Sequence, residues 1–146
     1  MVVSFVDFFK ELCKTNNWFF DYGTQSYHNL KDENSDVKKT FMFLDPIITT
    51  PESGELSVKS IKYSGAFLLG VQSDFGKQTY DDNSENNEGK FKTNIEPIYN
   101  KYFELVRNKL VCGDNEIVSE KITEVIDRYD LNIDGLFVEF TIRVFR

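Results

Sequence analysis

Leu131-Asn132-Ile133-Asp134-Gly135-Leu136-Phe137-Val138-Glu139-Phe140-Thr141-Ile142-Arg143-Val144-Phe145-Arg146 is the stretch on which the architecture turns. Leu136, Val138, Phe140, Ile142 and Val144 alternate with Phe137, Glu139, Thr141, Arg143 and Phe145. Successive side chains of a strand point to opposite faces, so this pattern predicts one strand with a wholly apolar inner face. Asp134-Gly135 stands directly before it, a dipeptide that tolerates the positive φ of a tight hairpin turn. The expectation is a chain that ends by locking a hairpin strand into a sheet.

Working back, residues 118–129 fit two readings. Ile122, Ile126 and Tyr129 have helical spacing, whereas a following Asp-Gly turn makes the segment the hairpin partner of the last strand. The strand is preferred, as the simpler use of that dipeptide. Before it, Ile95, Ile98, Tyr99, Tyr102, Val106 and Leu110 predict an amphipathic helix over residues 95–111. Thr93 or Asn94 caps it, Pro97 suits its first turn and Gly113 its exit. Residues 73–94 change character. Their middle, Asp81-Asp82-Asn83-Ser84-Glu85-Asn86-Asn87-Glu88-Gly89, has too little apolar surface to offset ordering entropy, which predicts a flexible acidic loop over residues 75–92.

In the N-terminal half, Phe5, Phe8, Phe9 and Leu12 predict a helix over residues 4–14, capped by Ser4, with Asp7 near its positive end and Asn16-Asn17 stopping it. Residues 18–27 hold an early strand and a turn around Gly23, residues 29–36 a loop, and residues 37–44 a strand with Phe41 and Phe43 on one face. Asp45-Pro46 closes that strand, because proline supplies no ladder amide. Residues 51–55 read as a turn and residues 56–72 as the longest strand, with Gly65 marking a bulge or a close backbone approach. The whole is an α+β fold: an antiparallel sheet packed by an N-terminal helix and a second amphipathic helix, closing with a C-terminal hairpin, in one domain spanning residues 1–146.

At 146 residues, one domain of this size buries roughly 70% of its unfolded surface, so two separate cores are not expected. Its 40% hydrophobic and 28% charged residues suit a globular chain rather than a disordered one. Fourteen Phe and seven Tyr are core and interface material more often than base-stacking platforms. A net charge of −7 argues against a main task of holding nucleic acid, which depends on Lys and Arg displacing counterions. Cys13 and Cys112 are far apart and read as reduced, partly buried thiols, a single disulfide being the alternative. The first fourteen residues do not read as a signal peptide, since Asp7, Lys10 and Glu11 interrupt the apolar positions, and no apolar run has the length of a membrane span.

Each candidate for chemistry fails on a residue. Asp130, Asn132, Asp134 and Gly135 match the opening of a calcium loop, but Thr141 stands where the bidentate Glu belongs, and a strand follows in place of a helix. The acids from Asp81 to Glu88 have no defined coordination geometry. His28 is the only histidine. Gly65 and Gly70 have phosphate-loop spacing, but Val71-Gln72 replace the Lys and Ser/Thr the motif requires. No catalytic, cofactor-binding or metal-ligating residue is assigned.

Phe5-Val6-Asp7-Phe8-Phe9-Lys10, residues 95–110 and, above all, Asn132-Ile133-Asp134-Gly135-Leu136-Phe137-Val138-Glu139-Phe140-Thr141-Ile142 resemble the tail-terminator and head-to-tail connector proteins of tailed bacteriophages, crAss-like phages among them. The long acidic insertion before the second helix departs from compact versions of that family. The resemblance implies a structural virion protein, not an enzyme, without cofactor or membrane. It implies a homo-oligomeric ring, six-fold or twelve-fold, assembled in the host cytoplasm and joined to neighbouring neck or tail proteins, through which DNA passes without sequence-specific binding. Under this reading Phe75, Tyr80, Asp81, Asp82 and Lys90 in the loop are partner contacts ordered on assembly, and Phe137 and Phe145 on the outer face of the last strand are interface anchors. Two other classes stand beside it: an acidic non-enzymatic binding module, such as a phage-encoded inhibitor of a host protein, and a small enzyme using carboxylates or a bound cation.

Overall fold

The computed structural model describes residues 5–23, 39–72, 91–112, 115–128 and 133–145. Its elements are helix α1 (Phe5–Thr15), strands β1 (Phe19–Tyr22), β2 (Phe41–Leu44), β3 (Ile48–Ser53) and β4 (Val58–Gln72), helix α2 (residues 91–110), and strands β5 (Asn115–Arg128) and β6 (Ile133–Phe145). They form an α+β fold around a six-stranded sheet in the order β1-β2-β4-β6-β5, with β3 paired to β4 beside β2. β6 runs antiparallel to β4 from the Ser60–Phe145 pair to the Gln72–Ile133 pair, and this ladder is the middle of the sheet. The alternation of the C-terminal stretch is realised: Leu136, Val138, Phe140 and Ile142 are buried on the face that also receives Phe67 and Leu69 of β4. The sheet is mixed, because β1 and β2 pair in parallel while the other pairs are antiparallel.

Both helices cover that face. α1 buries Phe5, Phe9, Leu12 and Cys13, the positions at three-and-four spacing, and its ends carry Asp7 in the first turn and Lys14 in the last, each favourable to the helix dipole. Its rings interleave with those of the sheet: Phe5 stacks on Tyr63 at 4.7 Å, and Phe9 lies 5.5 Å from Phe67 and 5.6 Å from Phe140. Rings offset or tilted at these separations add about 0.5–1.5 kcal/mol per pair beyond simple burial. α2 buries Ile95, Ile98, Tyr102, Val106 and Leu110 against the same cluster, the stripe expected of it. Its α-helical turns at Glu96–Lys101 and Asn108–Leu110 alternate with wider π-helical turns at Phe91–Ile95 and Tyr102–Arg107.

The opposite face is divided. Toward one end Phe41, Phe43, Leu68, Val125 and Ile133 are buried as a second cluster, with Phe19 and Phe137 packed against it. Toward the other end the same face is polar. There Ser64 and Thr141 share a 3.0 Å hydrogen bond, and Arg143 joins Glu52 and Glu116.

Several local expectations change. Asp134-Gly135 is not a turn: both residues sit inside β6, opposite Val71 and Gly70, and the connection from β5 spans residues 129–132, outside the described residues. Glycine is needed at Gly135 for proximity, since a Cβ there would stand 2.2 Å from the Leu69 carbonyl oxygen and 2.6 Å from Gly70 Cα. Residues 51–53 belong to edge strand β3, where proline is tolerated, and the turn falls at 54–57, closed by the Gly54 amide donating to the Ser57 carbonyl at 2.7 Å. Gly65 marks no bulge; it makes room for the Phe140 ring, whose Cζ would lie 3.1 Å from an added Cβ. The bulges occur instead at Glu52/Ser53 in β3 and at Ile117/Ser119 and Val125/Arg128 in β5. α2 begins at Phe91, so Thr93 and Asn94 lie within the helix and do not cap it, and Phe91 and Lys92 leave the acidic loop. The two readings of residues 118–129 resolve to strand as far as Arg128, Tyr129 lying outside the described residues. Cys13 and Cys112 are free thiols, the first buried and the second exposed, which removes the disulfide alternative.

Candidate functional site

β5 ends the sheet, and its outer edge pairs with no strand among the described residues. It contains no glycine or proline over fourteen residues. At about 3.4 Å per residue it offers a row of main-chain donors and acceptors roughly 45 Å long, interrupted by its two bulges. The opposite edge differs: β1 has four residues, and β3 has six with Pro51 among them, which lacks the amide an added strand needs.

Natural edges are commonly protected by charged side chains standing over them. On β5 Glu116, Glu120, Lys121 and Glu124 each have a partner within the protein, although Lys121 and Glu116 remain 76% and 52% exposed. Glu120 accepts from the Tyr102 hydroxyl and from Arg107 Nε, the latter at 3.1 Å, and Glu124 accepts from the Tyr99 hydroxyl at 3.0 Å. Glu116 takes Arg143 Nη1 at 3.2 Å, and Lys121 faces Glu139 at 3.8 Å, a pair too exposed to contribute much stability. α2 places the first two partners: Tyr99 and Tyr102 project from consecutive turns onto the side of β5 that faces the helix. Burial first, and then the Glu120 carboxylate, hold the Tyr102 hydroxyl well above the ordinary tyrosine range. The same two causes raise Tyr99 beside Glu124.

The polar end of the other face is organised by Arg143. Its Nε donates to Glu52 Oε1 at 2.7 Å, and Ser60 Oγ donates to the same oxygen at 2.8 Å. The guanidinium thus joins β3, β5 and β6, with Ser60 of β4 bound to the same Glu52 carboxylate, and the Arg143 and Ser60 hydrogen bonds hold the Glu52 carboxyl below its ordinary range. An open depression of about 310 Å³ lies along the β5–β6 pair, lined by Ser119, Glu120, Lys121, Glu139, Phe140 and Thr141. Its shallow shape is that of a surface furrow rather than a substrate cleft.

Two further polar contacts are structural. Asp134, fully buried, accepts from Asn94 Nδ2 at 2.8 Å, which ties the first turn of α2 to the start of β6. Lys101 Nζ donates to Thr40 Oγ1 at 2.6 Å, and burial lowers the affinity of this amine for its proton. Burial also pushes the Cys13 thiol up to about 12, so the thiolate needed for reaction is scarce at neutral pH.

Of the residues expected at an interface, Phe145 is 44% exposed at the end of β6, whereas Phe137 is half-buried against the second apolar cluster. The structure does not bring the two together. Phe75, Tyr80, Asp81, Asp82 and Lys90 lie outside the described residues, as do His28, Asp130 and Asn132. The feature that sequence reading missed is the β5 edge itself. Its signal was present in the absence of glycine and proline from residues 115–128, but the sequence does not show which strand is outermost. Among the described residues no three of His, Cys, Asp and Glu are placed to share a metal ion, and no helix is long and apolar enough to cross a membrane. Compared with protein-family models, curated proteins and solved structures, the chain matches none of them.

Proposed function

We propose that this chain is a structural virion protein, a ring-forming tail terminator or head-to-tail connector of a tailed bacteriophage. The observation that carries the assembly part of this reading is the β5 edge, long, free of glycine and proline and paired on its outer side with no strand among the described residues. An edge in that condition accepts a neighbouring strand through main-chain hydrogen bonds, and repetition of one such contact closes a ring when the rotation between subunits permits. The phage assignment is supported by the resemblance of residues 5–10, 95–110 and 132–142. The net charge of −7 suits a channel wall that DNA slides past, because like charge disfavours phosphate binding.

Native mass spectrometry and negative-stain microscopy test the proposal. Rings of defined stoichiometry are expected at high protein concentration, and the double variant Ser119→Lys/Thr123→Lys, which adds lysines to the exposed edge beside Lys121, is expected to return the protein to monomer with an unchanged melting temperature. A strictly monomeric wild type that fails to join neck or tail components overturns the reading.

A further inference from the structure

We draw no further inference here: the strongest candidate, the exposed aromatic patch on the outer side of α2 where the Phe103 ring stacks on Tyr99, carries nothing because nothing in the structure shows what covers it.

Discussion

Gly135 faces Gly70 across the central ladder, and the two backbones approach so closely that neither position has room for a methyl group. The first atoms an added Cβ meets at Gly135 are main chain, which cannot swing aside. At Gly65 the first atom met is the tip of the Phe140 ring at 3.1 Å, a contact relieved by a shift of a few tenths of an ångström. Gly135→Ala is therefore expected to cost about 3 kcal/mol or more, the upper end of the overpacking range, and Gly65→Ala about 1 kcal/mol, both read from urea midpoints. Equal losses would contradict this account of the close approach. The Asp-Gly dipeptide was legible as a special position but was assigned the wrong purpose. Both a turn and a tight backbone contact require the missing Cβ, and only the register of β4 against β6 tells them apart. Glu52 supplies a pH test. Its carboxyl is depressed in the folded protein, so its contribution is complete above the ordinary glutamate range, about 4.3, and drains away as pH falls through the lower folded value. The difference in melting temperature between wild type and Glu52→Gln is expected to shrink between pH 7 and pH 3. A difference that stays constant over that interval would remove Arg143 as its cause.

At the scale of elements, α2 and β5 are held together by hydroxyl-to-carboxylate contacts as well as by apolar packing. Tyr102 is fully buried and is placed by the wide turn of α2 at Tyr102–Arg107, so its hydroxyl meets Glu120 without any exposure of the ring. Tyr102→Phe keeps the ring and removes the hydrogen bond to a charged acceptor. A loss of about 1.5–3 kcal/mol at neutral pH is expected, measured by chemical denaturation. Because the folded hydroxyl is raised above its unfolded value of about 10, this stabilisation is complete below that pH and is lost as pH rises through the folded value. The gap between wild type and variant should accordingly narrow in strongly alkaline solution; a gap that widens would refute the assignment. The stripe of α2 was legible from the three-and-four spacing of Ile95, Ile98, Tyr102, Val106 and Leu110. The start of the helix was not, since Asn94 has the chemistry of a cap and uses it on Asp134, a residue forty positions away.

At the scale of the whole molecule, stability is expected to be greatest in the middle of the sheet and least at its two rims. β4 and β6 are flanked on both sides and buried beneath two helices, whereas β1, β3 and β5 each pair with one strand only among the described residues. Hydrogen exchange should therefore be slowest for the amides of residues 67–69 and 136–138 and faster along the outer edge of β5. Assembly would slow exchange at β5 while leaving the centre unchanged, so a concentration-dependent protection confined to residues 119–125 is the expected signature of ring formation, and its absence in an assembled sample would place the contact elsewhere. By itself the sequence determined the α+β class, the buried faces of both helices and the inward set Leu136, Val138, Phe140 and Ile142, because side-chain periodicity depends only on local backbone geometry. Tertiary structure alone decided that β1 joins β2 in parallel, that β5 forms the rim, that Gly135 serves closeness rather than a bend, and that Phe137 packs into a second cluster. Those outcomes depend on which strand lies beside which, and such pairings bring together residues far apart along the chain that no local pattern relates.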